Sequence, residues 1–362
     1  MPSFIPGLEL NRIFFSSIIK PILNRNYPKL NYSAARIGFG SDVLGFDTVR
    51  SMDHDWGLRL ELFLEEKDYL ELKDEILYCF SNELPHEFHG YSTCFGEPDE
   101  KGVRVNEFHT KGLVNHRIEI HTIDSFFQKF LGLQPYSDLS VFDWLSFPEQ
   151  RLLAITSGAV YYDGLMKLSE IREKFSYYPN EIWLYLMMKQ WSIIAEEMAF
   201  PGRAAELKDE LGLQILVTNQ IAKLMKLCFL MEKRYAPYSK WLGTAFSKLN
   251  CSTKLSPIFR KALVEKEWSK KQEFLVKAYT FVATIHNDLQ ITDSIEIKIT
   301  PFHDRPYLII NAVDFIEAIR AKITSETLLN IKPEIGSINQ ISNETFILDD
   351  ISLIRKIFRS VK

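Results

Sequence analysis

The chain has 362 residues, 46% of them hydrophobic and 25% charged, with a formal net charge of −4. This is ordinary globular composition, with length enough for two or three domains. The four cysteines, Cys79, Cys94, Cys228 and Cys251, form no C-x-x-C pair. That argues against zinc and disulfide frameworks and makes a reducing cytoplasm the expected setting. Glu9 and Arg12 interrupt the N-terminal apolar run and no small-residue cleavage site follows, so no signal peptide is expected. No stretch approaches about 18 uncharged apolar residues, so no membrane span is expected either.

The charge is unevenly spread. Residues 41–110 carry 17 acidic residues against 6 basic, and residues 221–280 carry 13 basic against 4 acidic. An acidic metal-binding region and a basic region suit a polyphosphate held between them, and the alternative is two sets of solvated helix faces.

In chain order, Leu10, Ile13, Phe14 and Ile18 give the spacing of one buried helix face over 7–24, with Pro21 expected to bend or end the helix. A strand at 34–39 leads into a Gly-Ser turn at Gly40 and Ser41. The run that follows opens with Asp53-His54-Asp55 and alternates strictly. Asp53, Asp55, Gly57, Arg59 and Glu61 share one face of the expected strand; His54, Trp56, Leu58, Leu60, Leu62 and Leu64 share the other. Two carboxylates on one face, roughly 6.6 Å apart along a strand, repel unless a cation sits between them. Mg2+ takes oxygen ligands and often uses one or two carboxylates together with substrate phosphates. A turn of small residues just upstream lets backbone N–H groups approach a phosphate. Solvated acids at a strand end are the competing reading of this stretch.

Residues 67–82 read as a second amphipathic helix, and 85–110, rich in Gly, Pro and acids, as short strands and an exposed loop. His86 and His89 fall one residue short of H-E-x-x-H spacing and have no obvious third ligand. In 114–122 the alternation returns, with Glu119 between Ile118 and Ile120. This is an acid projecting from a strand, available as a third carboxylate or else paired with Arg117 or Arg59. Residues 124–132 read as a helix with Asp124 as N-cap and Gly132 at its end.

From about 136 to 290 helical patterns dominate. A helix capped by Asn180 and apolar nearly all round is stopped by Pro201-Gly202; others follow near 205–232, 255–267 and 269–288, making a helical bundle. The last residues alternate as strands at 294–300, 307–311 and 344–348, with helices at 312–323 and 350–359. The expected fold is therefore α+β. A small mixed-sheet domain (1–135) precedes a helical bundle domain (136–290) and a small C-terminal α+β unit (291–362) that caps the bundle.

Gly-Ser, a spacer of about a dozen residues, D-x-D, and a later acid between apolar residues together resemble the polymerase-β-like nucleotidyltransferase superfamily, over about 37–64 and 114–122. The strings GSDVLGFDT, DHDWG, FPGR, DELG, RYAPYSKW and DRPY extend a closer resemblance over nearly the whole chain. They are similar to an uncharacterised bacterial nucleotidyltransferase-like family with a C-terminal helical domain of unknown function. The resemblance implies that Gly40 and Ser41 lie on the triphosphate and that Asp53 and Asp55 hold one or two Mg2+ ions. It makes Glu119 the third acid, as metal ligand or general base, where aspartate is more usual. In the helical domain it points to Arg203 and Lys240 as phosphate-binding cations, whose alternative is loop packing beside Tyr238 and Trp241. Asp209 and Glu210 are either acceptor contacts or surface acids near a helix N-terminus.

The implied activity is transfer of a nucleoside monophosphate, AMP from ATP or its counterpart from another nucleoside triphosphate, to an unknown acceptor: a small molecule, a protein side chain or an RNA end. The alternatives are a nucleotide-binding or interaction module without turnover and a nuclease-like metal enzyme. No Walker loop, G-x-G-x-x-G, G-x-S-x-G or recognisable DNA- or RNA-binding motif is present.

Overall fold

The period-two pattern that opens at Asp53 becomes a hydrogen-bonded strand only at Arg59. In the computed structural model, which describes residues 3–100 and 102–360, the strands in chain order are β1 (Tyr32–Arg36), β2 (Arg59–Leu64), β3 (Glu87–Phe88), β4 (Tyr91–Ser92), β5 (Arg117–His121), β6 (Ala159–Asp163), β7 (Ile299–Phe302) and β8 (Arg305–Ile310). The architecture is α+β: a four-stranded mixed sheet in the N-terminal part, a helical middle region, and a C-terminal hairpin accompanied by helices.

The chain divides into two compact units, residues 1–138 with 151–176, and residues 139–150 with 177–362. The helical region and the C-terminal hairpin thus fall in one unit, while 151–176 goes with the sheet.

In the first unit the strand order is β5-β2-β1-β6. β1 runs antiparallel to β2 and β6, and β2 runs parallel to β5. Trp56, Leu58, Leu60, Leu62 and Leu64 do share a buried face. They join Ile118 and Ile120 of β5 against Leu10, Phe14 and Ile19 of the first helix and Ile76 and Phe80 of the helix Glu66–Glu83. On the opposite face Phe63 packs edge-on against Phe126 at 5.2 Å. That places the helix Ile123–Leu131 on the sheet.

Several expectations are corrected here. Pro21 does not end the first helix. A π-helical turn at Phe15–Ile19 precedes the segment Lys20–Asn26. A wider turn accommodates a residue that lacks an N–H and crowds the carbonyl four positions back. The N-cap of Ile123–Leu131 is Thr122, in a capping box with Ser125, and not Asp124; Gly132 closes the helix at φ 70° as expected. Within the region read as helical lies β6, whose side chains are half-buried apart from exposed Tyr162. An edge strand with no inside-outside contrast leaves no alternation to read.

In the second unit the helix Asn180–Glu197 is buried on most sides, with Pro179 rather than Asn180 at its N-cap. It ends before Pro201-Gly202, which instead lie in the first turn of the helix Phe200–Glu206, where a proline's missing N–H costs nothing. Trp191 stacks on Phe315 at 4.8 Å, joining the helix Ala312–Arg320 to this core. The helix Glu210–Met231 is long and apolar enough, by length and composition, to cross a membrane, contrary to the sequence expectation; half of its most apolar window is buried inside the protein, as core helices of folded domains also are. Residues 294–298 lie outside β7, and 345–349 form a helix instead of a strand. Five residues of alternation suit either element.

Glu149 organises the centre of this unit. Its carboxylate accepts the Ala236 N–H, and Gln150 Oε1 accepts the Tyr238 N–H at 3.2 Å. The Tyr235–Tyr238 loop is thereby pinned. Burial pushes the Glu149 carboxyl up to about 7, opposed by the Ala236 hydrogen bond and the Lys226 charge. Such a group holds a proton in the folded chain that it loses in the unfolded chain. Its contribution to stability is present below the ordinary glutamate pKa, near 4.5, and is lost as pH rises through about 7. Glu149→Gln keeps the acceptor and removes the titration. The wild type should lose about 3 kcal/mol more than the variant between pH 4.5 and pH 8, measured by urea unfolding at both pH values.

Candidate functional site

The loop between β1 and β2 is shaped by one buried arginine. Arg36, at the end of β1, is fully buried. Its Nε and Nη2 donate to Asp42 Oδ2 and Oδ1 at 2.7 and 2.9 Å. Its Nη1 reaches the Ile37 carbonyl at 2.9 Å and Glu61 Oε1 at 3.3 Å, and Nη2 also reaches the Phe39 carbonyl at 3.1 Å. Glu61 Oε2 accepts the Ile37 N–H at 3.2 Å. Burial works against the charge on Arg36, but Asp42 and Glu61 outweigh it and hold the guanidinium above its ordinary pKa. Burial pushes the Glu61 carboxyl up against the opposing charges of Arg36 and Arg59.

Gly40 crosses directly over this ion pair. A Cβ there would stand 2.1 Å from Asp42 Oδ1 and 2.5 Å from Arg36 Nη2. Only glycine leaves the bidentate contact intact. Ser41 follows, half-buried, with its carbonyl accepting the Phe46 N–H at 2.9 Å. Further along, Asp47 Oδ2 accepts from the Gly7 N–H at 2.7 Å and from Trp56 Nε1 at 3.0 Å, tying both ends of the loop to the core.

The D-x-D precedes the strand and does not lie on it. Asp53 ends a 3-10 turn, Val49–Asp53. Its side chain is 57% exposed and lies 2.9 Å from His54 Nδ1. Asp55 takes a left-handed backbone, φ 47°, which interrupts the extended path on which the two acids would have shared a strand face. A non-glycine residue at positive φ is strained, and such positions cluster at functional sites. The Asp55 N–H bonds the Arg104 carbonyl at 2.9 Å. Its carboxylate is ion-paired with Arg117, and its carbonyl accepts from Arg59.

Strand register sharpens the electrostatics. In the parallel β2–β5 pair Arg59 stands opposite Arg117 and Glu61 opposite Glu119. Like charges directly opposite destabilise a sheet, so each is balanced elsewhere: Arg117 by Asp55, Glu61 by Arg36. Glu119 faces Arg117 Nη2 at 3.7 Å, His121 Nε2 at 3.5 Å and Lys129 Nζ at 3.6 Å. Contact with His121 and the charges of Lys129, His121 and Arg59 hold the Glu119 carboxyl well below the usual carboxylate range, against the effect of burial. Arg59, mostly buried, is pushed down to about 10 by burial and by the charges of Arg36 and Arg117.

Asp55 and Glu119 therefore meet over one guanidinium, while Asp53 points to His54. Among the described residues no three His, Cys, Asp or Glu side chains are arranged to hold a metal ion. His86 Nδ1 lies 3.7 Å from Cys94 Sγ, and His89 packs on Phe88. Arg203 and Lys240 belong to the second unit. Arg203 is paired with Glu206 at 2.8 Å, and Lys240 Nζ lies 5.2 Å from the Trp241 ring centroid. Asp209 caps the helix Glu210–Met231 through the Gly212 N–H.

Sequence reasoning missed Arg36, Asp42 and Glu61 as a group. The available signal was a lone arginine closing the otherwise apolar stretch Ala34-Ala35-Arg36-Ile37, since a charge in such a strand requires buried partners.

The family described as a domain of unknown function, DUF4037, matches residues 144–242. No curated protein matches the chain. Among solved structures, the chain is similar to a nucleotidyltransferase-like protein from Exiguobacterium sibiricum 255-15, with 8% sequence identity, a TM-score of 0.34 and coverage of 82% of each chain.

The Gly40 geometry gives a direct expectation. Gly40→Ala must displace a buried ion pair, and should lower stability by about 3 kcal/mol, read from the urea unfolding midpoint. Gly243→Ala, in the exposed helix Ser239–Phe246 with nothing within 4 Å of the added Cβ, is the control and should raise the midpoint slightly, by up to about 1 kcal/mol of stability.

Proposed function

We propose that this chain is a metal-dependent nucleotidyltransferase that moves a nucleoside monophosphate, AMP from ATP, to an acceptor hydroxyl. The observation that carries the reading is the rigid Gly40–Ser41 turn, held by Arg36 and Asp42, in the same unit as two carboxylates, Asp55 and Glu119, that already share a cation. Together with the sequence order of Gly-Ser, D-x-D and a later acid, this supports a triphosphate and metal site.

The acids are hard oxygen donors of the kind Mg2+ takes, but they are not assembled as a metal site: Asp55 and Glu119 face Arg117, Asp53 lies against His54, and among the described residues no three acids converge. Asp53, Asp55 and Glu119 would hold the ion. When bound, it would supply charge neutralisation at the transferred phosphate. In this reading Gly40 and Ser41 would lie on the triphosphate, with the Ser41 hydroxyl and N–H as donors. The low pKa of Glu119 keeps it ionised at neutral pH, which suits a ligand better than a proton acceptor. Arg203 and Lys240 are exposed cations of a kind that binds phosphate, and we assign them that role in the same reading.

One observation favours a second reading, a nucleotide-binding protein without turnover. Arg117 neutralises Asp55 and approaches Glu119, so the acids are satisfied with no metal.

Titration calorimetry with ATP, with and without Mg2+, tests the proposal. The wild type should bind ATP more tightly with Mg2+, and Asp53→Asn and Asp55→Asn should each abolish that gain. An unchanged metal-dependent affinity in both variants would remove the acids from the site. Labelled ATP and Mg2+ incubated with the protein and a cell extract separates the two readings, since label transferred to metabolite, protein or RNA identifies the acceptor class and its absence favours binding alone. Lys240→Ala should weaken ATP binding by about tenfold, the loss of one charge-assisted contact, and AMP binding by much less; equal losses would exclude a contact to the β- or γ-phosphate.

A further inference from the structure

We infer that Arg117, His121 and Lys129 form a binding site for a phosphoryl group, at which Glu119 is the built-in counter-ion. The inference takes the kind of phosphate compound from the nucleotide reading above, and it calls on no metal ion.

Period-two alternation puts Arg117, Glu119 and His121 on one face of β5, with buried Ile118 and Ile120 on the other. β5 is an edge strand of its sheet, and Glu119, in the middle of the row, is 39% exposed. The helix Ile123–Leu131 folds back over the same face and adds Lys129. Three cationic or donor side chains thus surround one carboxylate.

None of the three closes on Glu119. Arg117 Nη2 stands 3.7 Å from Oε1, and His121 Nε2 and Lys129 Nζ stand 3.5 and 3.6 Å from Oε2. Charge-assisted N–H···O bonds run to about 2.7–2.9 Å, so the spacing is set by other contacts. Arg117 is ion-paired with Asp55, and the Phe95 ring lies 5.8 Å from its Cζ. The His121 ring packs on Phe63 and Phe126, at centroid distances of 6.0 and 5.4 Å. Its Nε2 is buried with no hydrogen-bond partner among the described residues, and a buried polar nitrogen so placed calls for an acceptor. The Lys129 carbonyl accepts from Arg151 Nη1 at 3.3 Å, which anchors the base of that side chain. A carboxylate offers two oxygens in a plane, on a side chain tethered to β5. A phosphoryl group offers three oxygens on a tetrahedral centre and carries more charge. Set where the Glu119 carboxylate lies, it presents one oxygen to each of Arg117, His121 and Lys129, while Glu119 turns out to water. Asp55 goes on balancing Arg117.

Titration calorimetry with pyrophosphate, in buffer passed over chelating resin and held at fixed ionic strength, tests the site without catalysis. The variants are Lys129→Ala, His121→Phe and Glu119→Gln. Lys67→Ala is the control of equal charge change, on an exposed position of the helix Glu66–Glu83, which packs against the other face of the sheet. Lys129→Ala and His121→Phe should each weaken pyrophosphate binding by about tenfold, the loss of one contact to the anion. Glu119→Gln should tighten it by about tenfold, because the rival carboxylate is gone; a residue that only braces the fold would not move affinity in that direction. Lys67→Ala should leave it unchanged. Circular dichroism checks each fold, and Lys129, 60% exposed, carries the test should His121→Phe not fold. Equal losses in Lys67→Ala and Lys129→Ala, or unchanged or weaker binding in Glu119→Gln, would overturn the inference. So would the absence of pyrophosphate binding from both wild type and Glu119→Gln. If ATP in those cases still gains affinity from Mg2+ and loses that gain in Asp53→Asn and Asp55→Asn, the proposed function stands without this site; if ATP shows no binding either, both fall together.

Discussion

The buried Arg36–Asp42 pair is the constraint on which the first unit's loop depends. A guanidinium removed from water costs several kcal/mol unless its charge is met and its donors are used. Here all three nitrogens have acceptors: two carboxylates and two carbonyls. The two carbonyls belong to Ile37 and Phe39, the residues leading into the Gly-Ser turn. The arginine therefore fixes the backbone of that turn as it satisfies itself. Gly40 is the geometric consequence, because any side chain there would occupy the position of the ion pair.

A second layer of charge is built on the first. Glu61, the outlying partner of Arg36, faces Glu119 across the parallel strands, and Arg59 faces Arg117. The register that creates these like-charge pairs is set on the other face, where Leu60, Leu62, Ile118 and Ile120 are buried. A one-residue slip would relieve the charges but turn the apolar pair of the strand that moved off the core, whose burial is worth roughly 1.5–3 kcal/mol per side chain. Hydrophobic burial wins, and the charges are left to be balanced by Arg36, Asp55, His121 and Lys129. The result is a row of alternating sign along one face of the sheet, ending at acids near the surface. Such a face is structurally costly and chemically useful.

The second unit resolves a different conflict. Its central helix, Asn180–Glu197, is apolar on most sides, so other elements must surround it: Glu210–Met231 through Trp183 and Gln190, and Ala312–Arg320 through Phe315. The Tyr235–Tyr238 loop, which the sequence resemblance singled out, is held by Glu149 and Gln150. Its Tyr235 packs on Tyr177 and Tyr178, with ring centroids 5.1 and 5.0 Å away. That loop is a core element of its unit as well as the approach to Lys240.

What the sequence determined by itself was whatever depends on local periodicity. The apolar face from Trp56 to Leu64, the placing of Glu119 between the two isoleucines of β5, most helices and the α+β class follow from spacings of two or three to four residues, which burial enforces residue by residue. The motif order of Gly-Ser, D-x-D and Glu119 was legible too, because it is written in residue identity. Tertiary structure alone decided the rest. The D-x-D lies off the strand because Asp55 is drawn to Arg104 and Arg117 from distant segments. β6 is a strand because β1 offers it an edge, although its own side chains carry no alternation. Arg36, Asp42 and Glu61 became one group only when three segments closed around them, since a buried charge is specified by its partners, and partners 6 and 25 residues away leave no period to read.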